Sequence, residues 1–492
     1  MIQNWLNIIP ASEQSISLME GMTFNTEVLR SQIWYRGDAD ELFQFFRQLN
    51  KQGARSGFWE SVPANEQIRK IHSGLPAIIA DTLAYIVSSD LDNVDIDCPE
   101  WEEISRQINF QSLVNKCVVD TLVDGDGAFK ISVDTDLSPY PIVEYIGADR
   151  VEYEQSRGII SAVVFKSFYI VKSKRYVLRE RYGKGFIETR LYDDNGNECS
   201  LEAVAQLEGI KPYVTFNGDH IMAVPIKFFN SKKYNGRGKS IFDGGKSDCF
   251  DALDEVISQW WDAIRAGRVG KYIPEDMIPR NPKNGELMSV NSFGTSFVTV
   301  ASVINENSTE NKKIEVVQPD IKYEAFVSGY TNALLMCLQG LVSPATLGID
   351  VGKMSSADAQ REKKDVTGNT RNTITNALEK ALPILIESIL KTYDNMNGKT
   401  PAERGEITVS FGEYGAPDFD SRVETVGKAS TYGIMSVQTQ VEELWGSSKD
   451  DEWKLAEVRR IMQEKGLTEG SPSAVGDELG LSPDGANQPP IS

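Results

Sequence analysis

The chain has 492 residues, 40% of them hydrophobic and 25% charged, and 71 acids against 51 bases give a formal net charge of −20. This is a globular composition with material for cores, long enough for about two to four domains. The acidic balance excludes a protein held on DNA mainly by counterion release, which needs clustered Lys and Arg. It is compatible with a conduit that repels a polyanion on average and holds it at a few points.

The cysteines Cys98, Cys117, Cys199, Cys249 and Cys337 are odd in number and form no CxxC. A disulfide framework or a zinc site is not expected, and a reducing compartment is. The two histidines, His72 and His220, are too few for a histidine-based metal site or triad, and both read as incidental. The first residues lack the basic start of a secretory leader. The most apolar run, 75–87, contains Asp81 and is too short to span a bilayer. The expectation is a protein made in a cytoplasm, with no membrane partner.

Residues 22–123 read as largely helical. Val28, Ile33, Trp34, Leu42, Phe43 and Phe46 mark the first helical stretch, and Asp38, Asp40 and Glu41 place acids at a helix start. Leu75, Ile78, Ile79, Leu83 and Ile86 form a second stripe, and 110–122 a third. Residues 88–100 read as an acidic loop between them. From residue 126 the period changes to two, with Phe129, Ile131 and Val133 alternating with polar residues. Further β runs at 141–145, 151–153, 159–170, 176–181 and 186–192 are separated by turn residues and predict one antiparallel meander.

Between 248 and 264 the residues Phe250, Leu253, Val256, Ile257, Trp260, Trp261 and Ile264 define one helix face. Asp248, Asp251, Glu255 and Asp262 define another. Residues 270–318 carry three prolines and short β-like runs at 296–303 and 313–317. A second helix, 321–342, is apolar nearly all round, through Phe326, Tyr330, Leu334 and Leu338, and so needs burial on most sides. A loop follows (343–354), with Pro344 disfavouring continuation of the helix. A long helix runs from 355 to 393, polar to residue 373 and amphipathic afterwards, with Pro383 inside it. A strand at 406–411, short helices over 421–465 with Ser436, Ser447 and Ser448 as N-caps, and a Gly/Pro/Ser-rich tail complete the chain.

Three patterns suggest chemistry. Asn235-Gly236-Arg237-Gly238-Lys239-Ser240 ends like a phosphate-binding loop, but Lys233 stands where the full pattern needs glycine; a turn before a helix explains it better. Asp124 and Asp126 resemble paired metal-binding carboxylates, but a tight turn into the strand that follows is the simpler reading. Asp90, Asp92, Asp95 and Asp97 lack the glycine and terminal glutamate of a calcium loop. No catalytic residue, metal or cofactor is expected.

The order of elements is similar to that of portal proteins of long-tailed bacteriophages. The residues that carry the resemblance are Arg69 to Pro76 running into Ile78-Ile79-Ala80-Asp81, the turn and strand from Gly125 to Val133, the helix entry at Gly238, Leu341-Val342-Ser343-Pro344-Ala345-Thr346-Leu347-Gly348, and the long helix from Ser355. The resemblance covers roughly residues 20 to 465. It implies an α+β fold: an α/β wing with an antiparallel β meander (1–245), a two-helix stem (246–268 and 320–342) with a small β clip (269–319), a tunnel loop (343–354), a long wing helix and strand (355–416), a helical crown (417–466) and a tail (467–492).

The resemblance also implies a homo-oligomeric ring, a dodecamer in the family, at one capsid vertex of the virion. Double-stranded DNA would pass through it during packaging and ejection. Partners would be the terminase large subunit, major capsid and scaffolding proteins, and later head-completion or adaptor proteins. Assembly would occur in the host cytoplasm, and no enzymatic activity is implied. Asp248, Asp251, Glu255, Asp262, Thr346, Asp350 and Lys353 would line the channel. Trp260, Trp261, Ile264, Phe326, Tyr330, Leu334 and Leu338 would pack between subunits. The alternatives are another virion structural or connector protein, or a phosphate-transfer enzyme using Asp124, Asp126 and the loop at 236–240.

Overall fold

The structure, a computed structural model, describes residues 22–50, 57–60, 68–267, 270–274, 282–283, 285, 297–300, 315–317, 321–349, 357–402, 404–412, 419–446 and 449–464. The chain divides into two units, Met1–Tyr414 and Gly415–Ser492.

The first unit begins with α1 (Phe24–Arg36), α2 (Ala39–Asn50), α3 (Leu75–Ser89), β1 (Leu91–Asp95), α4 (Pro99–Gln107) and α5 (Phe110–Asp124). Thr23 caps α1 by accepting from the Thr26 N–H at 3.3 Å, which satisfies one orphan donor of the first turn. Helix α3 carries Pro76 in its first turn, where no N–H is needed. Ile79, Ala80, Leu83, Ala84 and Val87 are fully buried, at the three- and four-residue steps of one helix face. Val114, Cys117, Val118 and Leu122 do the same for α5. Burying each large side chain of these stripes contributes about 1.5–3 kcal/mol.

The residues expected as an acidic loop, 88–100, instead contain β1, which pairs antiparallel with β14 (Thr408–Phe411) from Leu91↔Phe411 to Asp95↔Thr408. The partner lies more than 300 residues away, so no local pattern announces it.

The β region forms two sheets rather than one meander. Strands β2 (Asp126–Ser132) and β3 (Ile142–Gly147) join a later strand, β10 (Ala223–Lys227), in the order β10-β2-β3. The runs expected at 129–133 and 141–145 as part of the meander therefore belong to a separate sheet. The meander itself comprises β4 (Val151–Ser156), β5 (Ile159–Val171), β6 (Lys174–Gly183), β7 (Phe186–Asp193) and β8 (Glu198–Cys199), with β9 (Tyr213–Thr215) also on β7. Its pairs are antiparallel. Lys172 and Ser173, the two residues between β5 and β6, have φ of 49° and 64°, the left-handed pair that matches the twist of a two-residue hairpin.

Helix α6 (Lys246–Ala266) and α7 (Tyr323–Leu338) pack side by side. Between them lie β11 (Gly270–Pro274), β12 (Phe297–Val300) and β13 (Glu315–Val317), ordered β12-β11-β13. The β11–β12 pair is parallel and the β11–β13 pair antiparallel. A 3-10 turn, Pro344–Leu347, leads toward α8 (Ala357–Met396), which keeps Pro383 in its interior. Ile374, Leu378, Leu382, Leu385, Ile386 and Ile389 of α8 are fully buried in the main core.

The second unit holds α9 (Phe419–Thr431), α10 (Val437–Trp445) and α11 (Asp451–Glu464). Ser436 caps α10 through the Thr439 N–H at 3.2 Å. Asp450 does the same for α11 through the Trp453 N–H at 2.7 Å. Ser447 and Ser448, also expected as caps, lie outside the described residues. Trp445 and Trp453 meet edge to face at 5.6 Å, joining α10 to α11.

Candidate functional site

The candidate site is the α6–α7 hairpin together with the segments that anchor it. The first half of α6 is sunk in the core. Phe250 and Leu253 are buried, and Phe250 contacts Trp34 at 5.8 Å and Phe242 at 5.6 Å between ring centres. Asp254, one turn on from Phe250, is completely buried. Its carboxylate accepts from Trp59 Nε1 at 3.1 Å, His72 Nδ1 at 2.7 Å and the Ser73 N–H at 2.9 Å. Ser258 adds a bond from the Ile71 N–H at 2.9 Å. Three donors make a buried charge tolerable where an unpaired one would cost several kcal/mol.

The expectation that His72 is incidental is thus corrected: it is one of the three donors that hold Asp254. The missed signal was an acid inside the apolar stripe of α6, four residues after Phe250 and four before Ser258. His220 is not incidental either, for it is buried, with Nε2 at 3.5 Å from Thr392 Oγ1.

Asp251 was expected to line an open channel. It accepts from the Phe58 N–H at 2.6 Å and the Trp59 N–H at 3.0 Å, and burial pushes its pKa up. It ties down the 57–60 segment instead, by accepting from two consecutive main-chain donors. Asp248, Glu255 and Asp262 recur every seven residues and so fall on nearly one line along α6. Asp248 is exposed, while Glu255 and Asp262 are half-buried. Glu255 accepts from Gln259 Nε2 at 2.9 Å.

The second half of α6 leaves the core and is held mainly by α7. Trp260 stacks on Phe326 at 6.3 Å and 6° and lies 6.3 Å from Tyr330. Gly329 of α7 faces Val256 of α6, where a Cβ would stand in ordinary contact at 3.6 Å from the valine methyl. At the other end Lys246 Nζ donates to the carbonyls of Met336 (2.8 Å), Cys337 (3.1 Å) and Gln339 (2.7 Å), a cation placed at the negative end of α7.

Leu334 and Leu338, expected between subunits, are buried in the chain's own core. They belong to the lower half of α7, which packs where α6 is also sunk. The apolar surface left open is higher up and on the flanks: Trp261 is 55% exposed and Ile264 42%. Tyr323, Leu335 and Met336 of α7 are exposed as well.

After α7 the main chain is fastened to α8. Thr367 Oγ1 accepts from the Ser343 N–H at 2.9 Å and lies 3.0 Å from Thr346 Oγ1, while Thr370 donates to the Leu341 carbonyl at 2.7 Å. Arg371 reaches Asp90 at 2.9 Å and also the Gly412 carbonyl, so Thr367, Thr370 and Arg371 form a hydrogen-bonding face on α8. Thr346 is therefore engaged with α8. Asp350 and Lys353, expected on the same loop, lie outside the described residues.

The sequence's phosphate-loop likeness has a structural explanation. Asp126 is completely buried and accepts from Arg237 Nε at 3.0 Å and Nη2 at 2.8 Å, and from the Gly238 N–H at 2.6 Å. Gly238 lies so close to Gly125 that a Cβ would strike the Gly125 carbonyl, and Gly125 itself has φ of 99°, which favours glycine. The N–H groups of Arg237, Lys239 and Ile241 go to the carbonyls of Tyr234, Phe229 and Leu122. Three consecutive main-chain donors of the loop, those of Arg237, Gly238 and Lys239, are thus spent inside the chain. Asp124 accepts from Gln32 at 3.1 Å and does not share a site with Asp126; burial pushes its pKa up to about 8.

Among the described residues no group of three or more His, Cys, Asp or Glu is placed to hold a metal ion, and no helix is long and apolar enough to cross a membrane.

No protein-family model matches the chain, and no curated protein matches its sequence. Solved structures give weak likenesses. A chain from the virion of a native gene transfer agent particle is 11% identical, with 90% of this chain and 94% of that one covered and a TM-score of 0.39. A chain from the neck of the native particle, computed with C12 symmetry, is 12% identical over 75% and 90%, with a TM-score of 0.41. One from the neck of the empty particle, computed with C6 symmetry, is 12% identical over 80% and 96%, with a TM-score of 0.37. TM-scores of this size do not establish a common fold.

Proposed function

We propose that the chain is a virion structural subunit of the portal type, assembling as a closed ring through which double-stranded DNA passes. The observation that carries the reading is the α6–α7 hairpin, anchored at one end by Asp254 and Lys246 and presenting Trp261, Ile264 and Tyr323 to solvent at the other. Apolar surface of that kind is stable when neighbouring copies cover it, and repeated head-to-tail contacts around an axis close into a ring.

In such a ring the line Asp248, Glu255 and Asp262 faces the lumen. An acidic wall repels the phosphates and leaves DNA free to slide. Lys353, outside the described residues, would supply brief phosphate contacts. The subunit breaks no bonds; the terminase large subunit drives translocation, major capsid and scaffolding proteins surround the ring at its vertex, and head-completion proteins follow. Replacing Asp248, Glu255 and Asp262 together by lysine tests the channel reading. Packaging of DNA by particles carrying the variant should slow or stall while rings still form. Packaging at the normal rate would place this line of acids away from the DNA.

A further inference from the structure

A second feature, away from the hairpin, is a cleft of about 660 Å³ between β10 and α8. One wall is a stripe on α8: Thr373, Ala377, Lys380, Ile384, Glu387 and Lys391 line the cleft at alternating four- and three-residue steps, the spacing of one helix face. The stripe is about 27 Å long at 1.5 Å per residue, and about eight residues of extended chain span that length. The opposite wall is β10, the edge strand of its sheet, with Ile160 and Val163 beside it.

The cleft combines apolar surface with positive charge. Ile384 is 55% exposed in it. Lys184, Lys227, Lys380 and Lys391 contribute to its lining against two acids, Asp219 and Glu387. Lys391 is paired with Glu387 at 2.7 Å, and Lys227 Nζ donates to the Gly236 carbonyl at 3.1 Å. Lys184 and Lys380 are exposed and have no ion-pair partner among the described residues. The local sign is opposite to that of the chain, whose net charge is −20. The buried His220 also forms part of the wall, and its Nδ1 has no hydrogen-bond partner among the described residues. Pro225 sits in β10, so the edge lacks one N–H for pairing with an added strand. Side chains, not strand addition, set what enters.

We infer that this cleft docks a short acidic peptide segment with aliphatic anchors, supplied by a partner protein, its carboxylates meeting Lys184 and Lys380 and its apolar side chains lying over Ile384. The inference is independent of ring formation.

The test is fluorescence anisotropy of the full chain with a labelled octapeptide, Leu-Glu-Asp-Leu-Glu-Asp-Leu-Glu. Its Gln/Asn analogue and an analogue with Gly for Leu are the controls. The octapeptide should bind saturably, and both analogues about tenfold more weakly, as two or three lost partly exposed contacts predict. The double variant Lys184→Ser with Lys380→Ser should lose about tenfold, and Ile384→Glu should abolish binding, with unchanged thermal melting in both because all three side chains are exposed. Equal affinity for the Gln/Asn analogue, or full binding by Ile384→Glu, overturns the inference. So does a change in sedimentation behaviour of the variants without loss of peptide binding, which would assign the cleft to contact between copies of the chain.

Discussion

Asp126 and Arg237, 111 residues apart in sequence, form a two-point ion pair whose carboxylate is wholly removed from solvent. The guanidinium also donates to the carbonyls of Val151 and Ala148 at 2.8 and 2.9 Å and lies over the rings of Phe24 and Tyr153. One residue pair thus joins α1, β2, β4 and the loop that leads to α6.

Asp126→Asn should therefore destabilise the chain by about 3–5 kcal/mol, because it leaves a buried guanidinium without its counter-charge. Arg237→Lys should also be costly, since an ammonium cannot reproduce the two-point geometry. Urea unfolding measures both. A loss below about 1 kcal/mol in either would show the pair to be peripheral.

Asp124 titrates in the opposite sense from a paired carboxylate. In the folded chain it holds its proton up to about pH 8, whereas an unfolded aspartate loses it near pH 4. Across that window the folded state binds more protons, so the contribution of Asp124 to stability is fully present below about pH 4 and falls as pH rises toward 8. Asp124→Asn, which keeps an acceptor for Gln32, should match the parent chain at pH 4. Its advantage should grow to the order of a few kcal/mol by pH 8 and then level off. Parallel melting curves at every pH would contradict the assignment.

Two acids on the same helix should behave differently. Asp254→Ala removes the acceptor of Trp59, His72 and Ser73 and should cost about 3 kcal/mol or more. Asp248→Ala, at an exposed position, should leave the unfolding midpoint unchanged. Equal effects would mean that the buried hub is not what anchors α6.

These differences mark what the sequence shows and what it hides. Helix α6 is legible because Phe250, Leu253 and Trp260 repeat at helical steps, and the strands β5 to β7 are legible because turn residues bracket them. The β1–β14 pair is hidden, since Leu91 meets Phe411 across most of the chain and, although 406–411 reads as a strand, residues 91–95 carry no alternation to mark its partner. The sequence marks α8 up to residue 373 only as polar, and does not show that Thr367, Thr370 and Arg371 are buried with partners from residues 90, 341, 343 and 412. The role of Asp251 is hidden because the acidic face of α6 carries no mark of which member meets the 57–60 segment, whereas Asp254 is legible as an acid set inside the apolar stripe.

Trp261 and Ile264 separate folding from assembly. Both are substantially exposed in the single chain, so Trp261→Ser with Ile264→Ser should leave its thermal unfolding nearly unchanged. Association, followed by sedimentation velocity, should weaken by at least tenfold. Assembly that survives the double variant would move the subunit contact elsewhere.

The central claim is ring formation, and the most direct measurement is electron microscopy of the purified full-length protein with averaging of end-on views. The account predicts closed rings of uniform subunit number around an open centre. Monomers alone, over a range of protein and salt concentrations, would contradict it.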